Sequence, residues 1–129
     1  RTAEELKITL GSASIEKAQG SMQVRGRDMV TGLPRVVEVP AKEIAVAMSE
    51  IIHQILDAVK DVLEQTPPEI SADVIDHGIV LTGGGAMLRH LAEMISKETQ
   101  VPAFVANDPL DCVALGTGAI LANPSLMKK

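Results

Sequence analysis

The sequence predicts an α/β chain, and three observations carry that class. A fully apolar run, Ile79-Val80-Leu81, and a second, "VPAFVA" (101–106), flank a stretch of helical spacing from Ala86 to about Glu98. Strand, helix, strand is one βαβ unit, so the two strands are expected to be parallel, with a right-handed crossover. Two β-rich runs, 22–25 and 35–39, read as a hairpin around Asp28, Thr31-Gly32 and Pro34. Between these parts, Ala41 to Gln65 has the period of one long amphipathic helix.

Each element has a local reason. Thr2 and Glu5 have capping-box spacing, and Ala3, Leu6, Leu10 and Ala13 follow at helical intervals, so a helix is expected from about Ala3 to Ser12. Residues 14–21, ending in Gln19-Gly20-Ser21, read as a loop. In the long helix, Ile44, Met48, Ile51, Ile52, Ile55, Val59, Val62 and Leu63 form the apolar stripe. At about 1.5 Å per residue this helix reaches roughly 38 Å, and a bend or break is expected near Met48–Ile51. Thr66-Pro67-Pro68 stops it, and a short helix over about 68–76 follows with Pro68 at its start. The helix after the glycines is expected to bury Leu88, Leu91, Met94 and Ile95. Asp108 is expected to cap a last helix, with Pro109 in its first turn, running to about Leu121. The tail from Asn123 is expected to fray.

Composition removes several function classes. The chain has 129 residues, 46% apolar, enough for one modest domain or two small lobes. A net charge of −5 and a single aromatic residue, Phe104, argue against nucleic-acid binding, which needs a basic stripe and stacking rings. The lone Cys112 fits a reducing compartment. No apolar run approaches the ~18 residues of a membrane span, and no signal-peptide pattern is read. The chain starts at Arg1 without Met, within a helical pattern, and is expected to be part of a longer protein.

The chemistry-bearing feature is "GIVLTGGGAMLRHLAEMI" (78–95), in which three glycines join a strand to a helical pattern. A turn at the carboxyl end of a parallel strand is where open α/β sheets bind ligands. Glycine allows close backbone approach, and a helix opening there would add unpaired N–H groups and a favourable dipole. Two phosphate motifs are absent: no GxxxxGK run exists, and Gly83-Gly84-Gly85 followed by Ala86-Met87-Leu88 is not GxGxxG. The turn suits a base or sugar better than a triphosphate. A tight turn with no ligand fits the local pattern equally well.

"DHGIVLTGGGAMLRHL", with "TPPEISADVI" before it and "VANDPLDCVALGTG" after it, resembles the bacterial actin-like, rod-shape-determining MreB family. "RTAEELKITLGSA" and "VRGRDMVTGLP" match the same family in the same order, so the resemblance covers nearly the whole chain. It implies part of the second lobe of an actin-like protein of the ribonuclease H-like superfold. Residues 1–48 would be the small α+β outer subdomain, and 49–129 part of an incomplete parallel-sheet inner subdomain. It also implies ATP or ADP with Mg²⁺. Gly83, Gly84, Gly85, Ala86 and Met87 would line adenine and ribose. Glu4 and Lys7, with Glu5 and Leu6 beside them, would approach from the other side. The family's phosphate clamps, Mg²⁺ ligands and attacking-water residues lie outside this sequence, so no catalytic or metal residue is assigned here. ATPase activity would belong to the intact protein. The resemblance further implies self-assembly into filaments, wall-synthesis membrane proteins as partners, membrane contact through the other lobe, and a cytoplasmic, membrane-associated location. Only two of about five expected strands are supplied, so the 129 residues alone are expected to be marginally stable or to pair edges with another copy. A sharp monomeric unfolding transition at high temperature would count against this.

Other candidates are weaker. Cys112, among Val113, Ala114 and Leu115, reads as a buried small residue rather than a nucleophile. His53, His77 and His90 lack metal spacing and read as surface or cap residues. Gly116 and Gly118 lie within a helical pattern, which suggests close helix packing or an interface. Arg25, Arg27, Asp28 and Arg35 read as a solvated hairpin face or a subunit contact. The alternative function is a sugar kinase-like phosphotransferase of the same superfold, which would need a substrate pocket with a catalytic Asp. A Rossmann-type binding module is disfavoured by the glycine spacing.

Overall fold

The computed structural model describes residues 1–127. Its elements are α1 (Thr2–Leu10), β1 (Ser21–Arg27), β2 (Pro34–Pro40), α2 (Ala41–Glu64), α3 (Pro68–His77), β3 (Ile79–Leu81), α4 (Leu91–Thr99), β4 (Ala103–Val105) and α5 (Cys112–Ala122). Short 3₁₀ turns cover Gly84–Met87 and Pro124–Met127. The strands form two separate two-stranded sheets. β1 and β2 are antiparallel with Val24 opposite Val37, and β3 and β4 are parallel with Val80 beside Phe104. The parallel pairing is the one the βαβ pattern requires.

Apolar burial gathers in two places. Leu10, Ala18, Ala41 and Ala45 form one core, with Leu6, Met22 and Ile44 packed on it. Ala13, Ile52, Leu56, Leu91 and Ile95 form the other, supported by Met48, Val59, Ile79 and Leu81. α2 serves both, through Ala41, Ile44 and Ala45 in the first and Met48, Ile52, Leu56 and Val59 in the second. Small residues let α1 and the hairpin approach α2 closely, whereas Ile52 and Leu56 reach towards α4 and the parallel strands.

Several expectations need correction. α1 has Arg1 as its N-cap with no side-chain cap bond, so the Thr2–Glu5 capping box does not form. α1 also ends at Leu10, because Gly11 turns to ψ 136°. α2 is one continuous helix with no break near Met48–Ile51. Its buried line is Ala41, Ala45, Ile52 and Leu56, while Ile51, Ile55 and Val62 from the expected stripe are exposed. The helix after the glycines starts at Leu91, not Ala86. His90 precedes it in the left-handed region at φ 65°, a conformation His adopts more readily than bulkier residues. The last helix has Asp111, not Asp108, at its N-cap, and Pro109 lies outside it. Residues 124–127 form a 3₁₀ turn, and the end of the tail expected to fray, residues 128–129, lies outside the described residues.

α5 buries none of its residues, and Val113, Leu115 and Leu121 are exposed. Cys112 is accordingly only half-buried, with Sγ 3.5 Å from the Asp108 carbonyl oxygen. A Cβ at Gly116 or Gly118 would meet nothing within 4 Å, so neither glycine packs closely among the described residues. The physical reason is common to all three: no element among residues 1–127 covers this helix.

The hairpin connection is tightly built. Asp28 Oδ1 accepts from the Val30 and Thr31 N–H groups at 2.8 and 3.0 Å, and Arg35 donates to Oδ2 at 3.1 Å. These donors, the Thr31 N–H first, favour the ionised carboxylate and hold its pKa below the ordinary 3.8. A depressed folded pKa stabilises above the unfolded value and is lost as pH falls through the folded one. The Val30 and Thr31 amide NMR shifts are therefore expected to stay constant from pH 7 to about 4 and to move only below that range. Movement of both between pH 5 and 7 would contradict this.

Candidate functional site

The glycine turn follows β3. Gly83 has φ 82° and ψ 174°, a region essentially confined to glycine, and its N–H donates to the Pro109 carbonyl at 2.7 Å. This bond fixes the turn against the segment after β4. Ala86 and Leu88 then donate to the Gly83 and Gly85 carbonyls, closing the 3₁₀ turn. Added Cβ atoms at Gly83 and Gly85 would meet nothing within 4 Å, and one at Gly84 would reach Leu110 Cδ2 at 3.4 Å. The first and third glycines thus border open space. The Gly84 and Gly85 N–H groups make no hydrogen bond among the described residues. Met87 is exposed, whereas Ala86 is only 5% exposed, so a ligand here would meet Ala86 through its backbone.

The expected helix-dipole contribution is absent. The residues after the glycines form a four-residue 3₁₀ turn, and α4 begins beyond it at Leu91. The anion-favouring end of an α-helix is therefore displaced from the glycines. Free amides and glycine's small profile remain. They can meet the hydrogen-bond acceptors of a ligand that lies against the turn.

On α1, Glu4 and Lys7 share one face and form an exposed ion pair at 3.5 Å, with side chains 68% and 53% accessible. Such a pair contributes little to stability and leaves both groups available to a ligand. Glu5 is also exposed. Leu6 instead packs inward beside Leu10 and Ala45, where it can support the helix but offers little contact surface.

α1 and the glycine turn are joined end to end. Ser12 pairs with Arg89 in a parallel bridge, and Ala13 N–H donates to the Arg89 carbonyl at 2.8 Å. Ser12 is 2% exposed, and its hydroxyl is satisfied by Ser14. Gly11 abuts Leu88. Sequence reasoning missed Gly11, Ser12 and Arg89, and a Gly inside the helical pattern expected to reach Ser12 was the one available signal. A groove of about 430 Å³ lies between α1 and the hairpin, floored by Leu6, Val24, Val37 and Val39. A second hollow of about 330 Å³ lies along Arg1, Glu4, Glu5 and Ile8. Neither includes Gly83–Met87.

Titratable clusters elsewhere are structural. Lys17 and His90 both reach Glu93, and the Lys17 ammonium, then His90, holds its carboxyl below the usual range. Lys60 pairs with Glu98 at 2.8 Å, tying α2 to α4. His53 and His77 place Nδ1 beside the Ser49 and Asp73 carbonyls one turn earlier. Among the described residues, no three His, Cys, Asp or Glu side chains group to hold a metal, and no helix is long and apolar enough to cross a membrane.

A family model described as MreB/Mbl protein matches residues 1–129. The chain is similar to the cell shape-determining protein Mbl of Bacillus subtilis (strain 168), with 46% identity over 129 residues, 100% of this chain and 39% of that protein. It is also similar to the crystal structure of MreB5 of Spiroplasma citri bound to ADP, with TM-score 0.84, 37% identity, and coverage of 92% of this chain and 36% of that one. The structure of the same protein bound to AMPPNP gives TM-score 0.85 and 35% identity, covering 96% and 37%. The chain therefore spans less than two-fifths of the length of each of these relatives.

Proposed function

This chain belongs to the MreB/Mbl family, and we propose on that premise that it is the second-lobe segment of an actin-like, ATP-dependent filament protein that maintains rod cell shape. Its fold is part of the actin-like MreB fold. Residues 1–48 are the outer subdomain and 49–129 part of the inner one, a division supported by the two separate cores that α2 serves.

The nucleotide lies with its adenosine against Gly83, Gly84, Gly85, Ala86 and Met87, and Glu4 and Lys7 approach it from α1. Glu5 borders that face and Leu6 holds the helix in place. The single observation that carries this is the open space at Gly83 and Gly85 beside the unbonded Gly84 and Gly85 N–H groups, on a turn joined to α1 through Ser12–Arg89. The relatives bound to ADP and AMPPNP support the same ligand class. The residues here fit a nucleoside; on the family reading, Mg²⁺, the phosphate clamps and hydrolysis belong to the rest of the longer protein. Bound nucleotide supplies the switch between subunit states, and this segment's share is to hold and orient the base and sugar. The filament forms from copies of the same protein in the cytoplasm, against the membrane, where it meets wall-synthesis proteins.

The phosphotransferase alternative finds no support in the groove beside the hairpin. Its one acidic residue, Asp28, is already engaged by two backbone amides and Arg35, and its depressed pKa makes it a poor base. ATP-dependent sedimentation of the full-length protein tests the proposal. Pelleting with ATP, lost with Gly85→Val, is expected. Sugar-dependent ADP release without pelleting would replace the filament reading with the kinase one.

A further inference from the structure

Segments 11–17 and 88–93 form a continuous seam. Gly11 lies against Leu88, Ser12 pairs with Arg89, and Lys17 forms an ion pair with Glu93. Ala13 shares its core with Leu91. The seam begins one residue after α1 ends and one residue after the 3₁₀ turn ends. Both proposed walls of the nucleotide site therefore run directly into it, in matching register. α1 itself packs through Leu6 and Leu10 on the other core. The seam is thus a tie, additional to the continuous α2, between the body carrying Glu4 and Lys7 and the body carrying the glycines.

Gly11 is the point in the seam without slack. Its φ of −56° and ψ of 136° suit any residue, so conformational freedom does not explain the glycine. Space does. A Cβ there would fall 2.2 Å from the Lys7 carbonyl oxygen and 3.0 Å from Leu88 Cδ1. The Lys7 oxygen cannot easily yield, because it accepts the Gly11 N–H at 2.8 Å. Any side chain at 11 must displace the last turn of α1, Leu88, or both.

We infer that Gly11 is a positioning residue: with Leu88 and the Ser12–Arg89 bridge it sets the separation between the Glu4–Lys7 face and the glycine turn. A methyl group there widens the site without touching the nucleotide. The consequence for binding rests on the nucleotide reading above; the geometric claim does not.

The test uses the full-length protein, cysteine-free apart from spin labels introduced at Glu4→Cys and Met87→Cys. Alongside it, the affinity for a fluorescent ATP analogue is measured in unlabelled protein. Gly11→Ala is expected to lengthen the label-to-label distance and weaken the analogue about tenfold or more, as small misplacements of binding groups do. Val101→Ala, a change at a buried position outside both cores, is expected to move neither, which separates positioning from general destabilisation. An unchanged distance in Gly11→Ala overturns the inference whatever the affinity does. A longer distance with unchanged affinity upholds the seam's role and removes the nucleotide from these residues. If Gly11→Ala does not fold, Leu88→Ala serves instead. It removes the surface on which Gly11 rests and leaves the backbone unstrained, so a broadened distance distribution is expected and an unaltered one overturns the inference.

Discussion

Gly78→Ala is expected to lower the unfolding free energy of the full-length protein by about 2–4 kcal/mol. Gly78 joins α3 to β3 at φ 80° and ψ −178°, a conformation other residues adopt only under strain of about 1–3 kcal/mol. Its surroundings add a second penalty. An alanine Cβ would lie 2.7 Å from the Pro102 carbonyl oxygen and 3.2 Å from Phe104 Cε1. That oxygen accepts the Ile79 N–H at 2.7 Å, the bond that starts the pairing of β3 with β4. Moving it endangers a hydrogen bond worth about 1 kcal/mol net. The check is the urea midpoint at unchanged slope. A shift equivalent to less than about 0.5 kcal/mol, the range of an ordinary surface change, would contradict the close approach of these backbones.

Gly85→Val separates ligand contact from folding. Gly85 has no positive φ, and a Cβ there would meet nothing within 4 Å. The fold has no reason to resist the change, so stability is expected to stay within about 0.5 kcal/mol. The added side chain enters the space assigned to adenine and ribose. Affinity for an ATP analogue is expected to fall at least about tenfold, equivalent to roughly 1.4 kcal/mol. Gly83→Val would not discriminate as well, because the φ of 82° makes strain and ligand loss act together. Equal affinity of wild type and Gly85→Val would place the nucleotide elsewhere.

Local chemistry made much of the fold legible. The proline pair ends α2 and opens α3, the apolar runs become parallel strands, and the hairpin forms around Asp28. What stayed hidden depended on distant partners. The α2 period shows that one side is apolar, but not that Ile52 and Leu56 are buried while Ile51 and Ile55 face outwards. Three glycines announce a turn, but helical spacing from Ala86 could not reveal the 3₁₀ segment and the left-handed His90 that delay α4. Cys112 reads as buried because its neighbours Val113, Ala114 and Leu115 are apolar, yet residues 1–127 contain nothing that covers α5. At the candidate site, the glycines and the Glu4–Lys7 pair were readable from local pattern and family resemblance. The seam through Gly11, Ser12 and Arg89 was not, since its two strands are far apart in the chain and pair largely through backbone atoms.

The central claim is that one purine nucleotide contacts both the glycine turn and α1. Photolabelling of the full-length protein with an azido-adenine ATP analogue, followed by peptide mass spectrometry, tests it most directly. Labels are expected on residues 83–88 and 2–10, both suppressed by excess ATP. ATP-protected labels found only outside these two stretches would contradict the assignment.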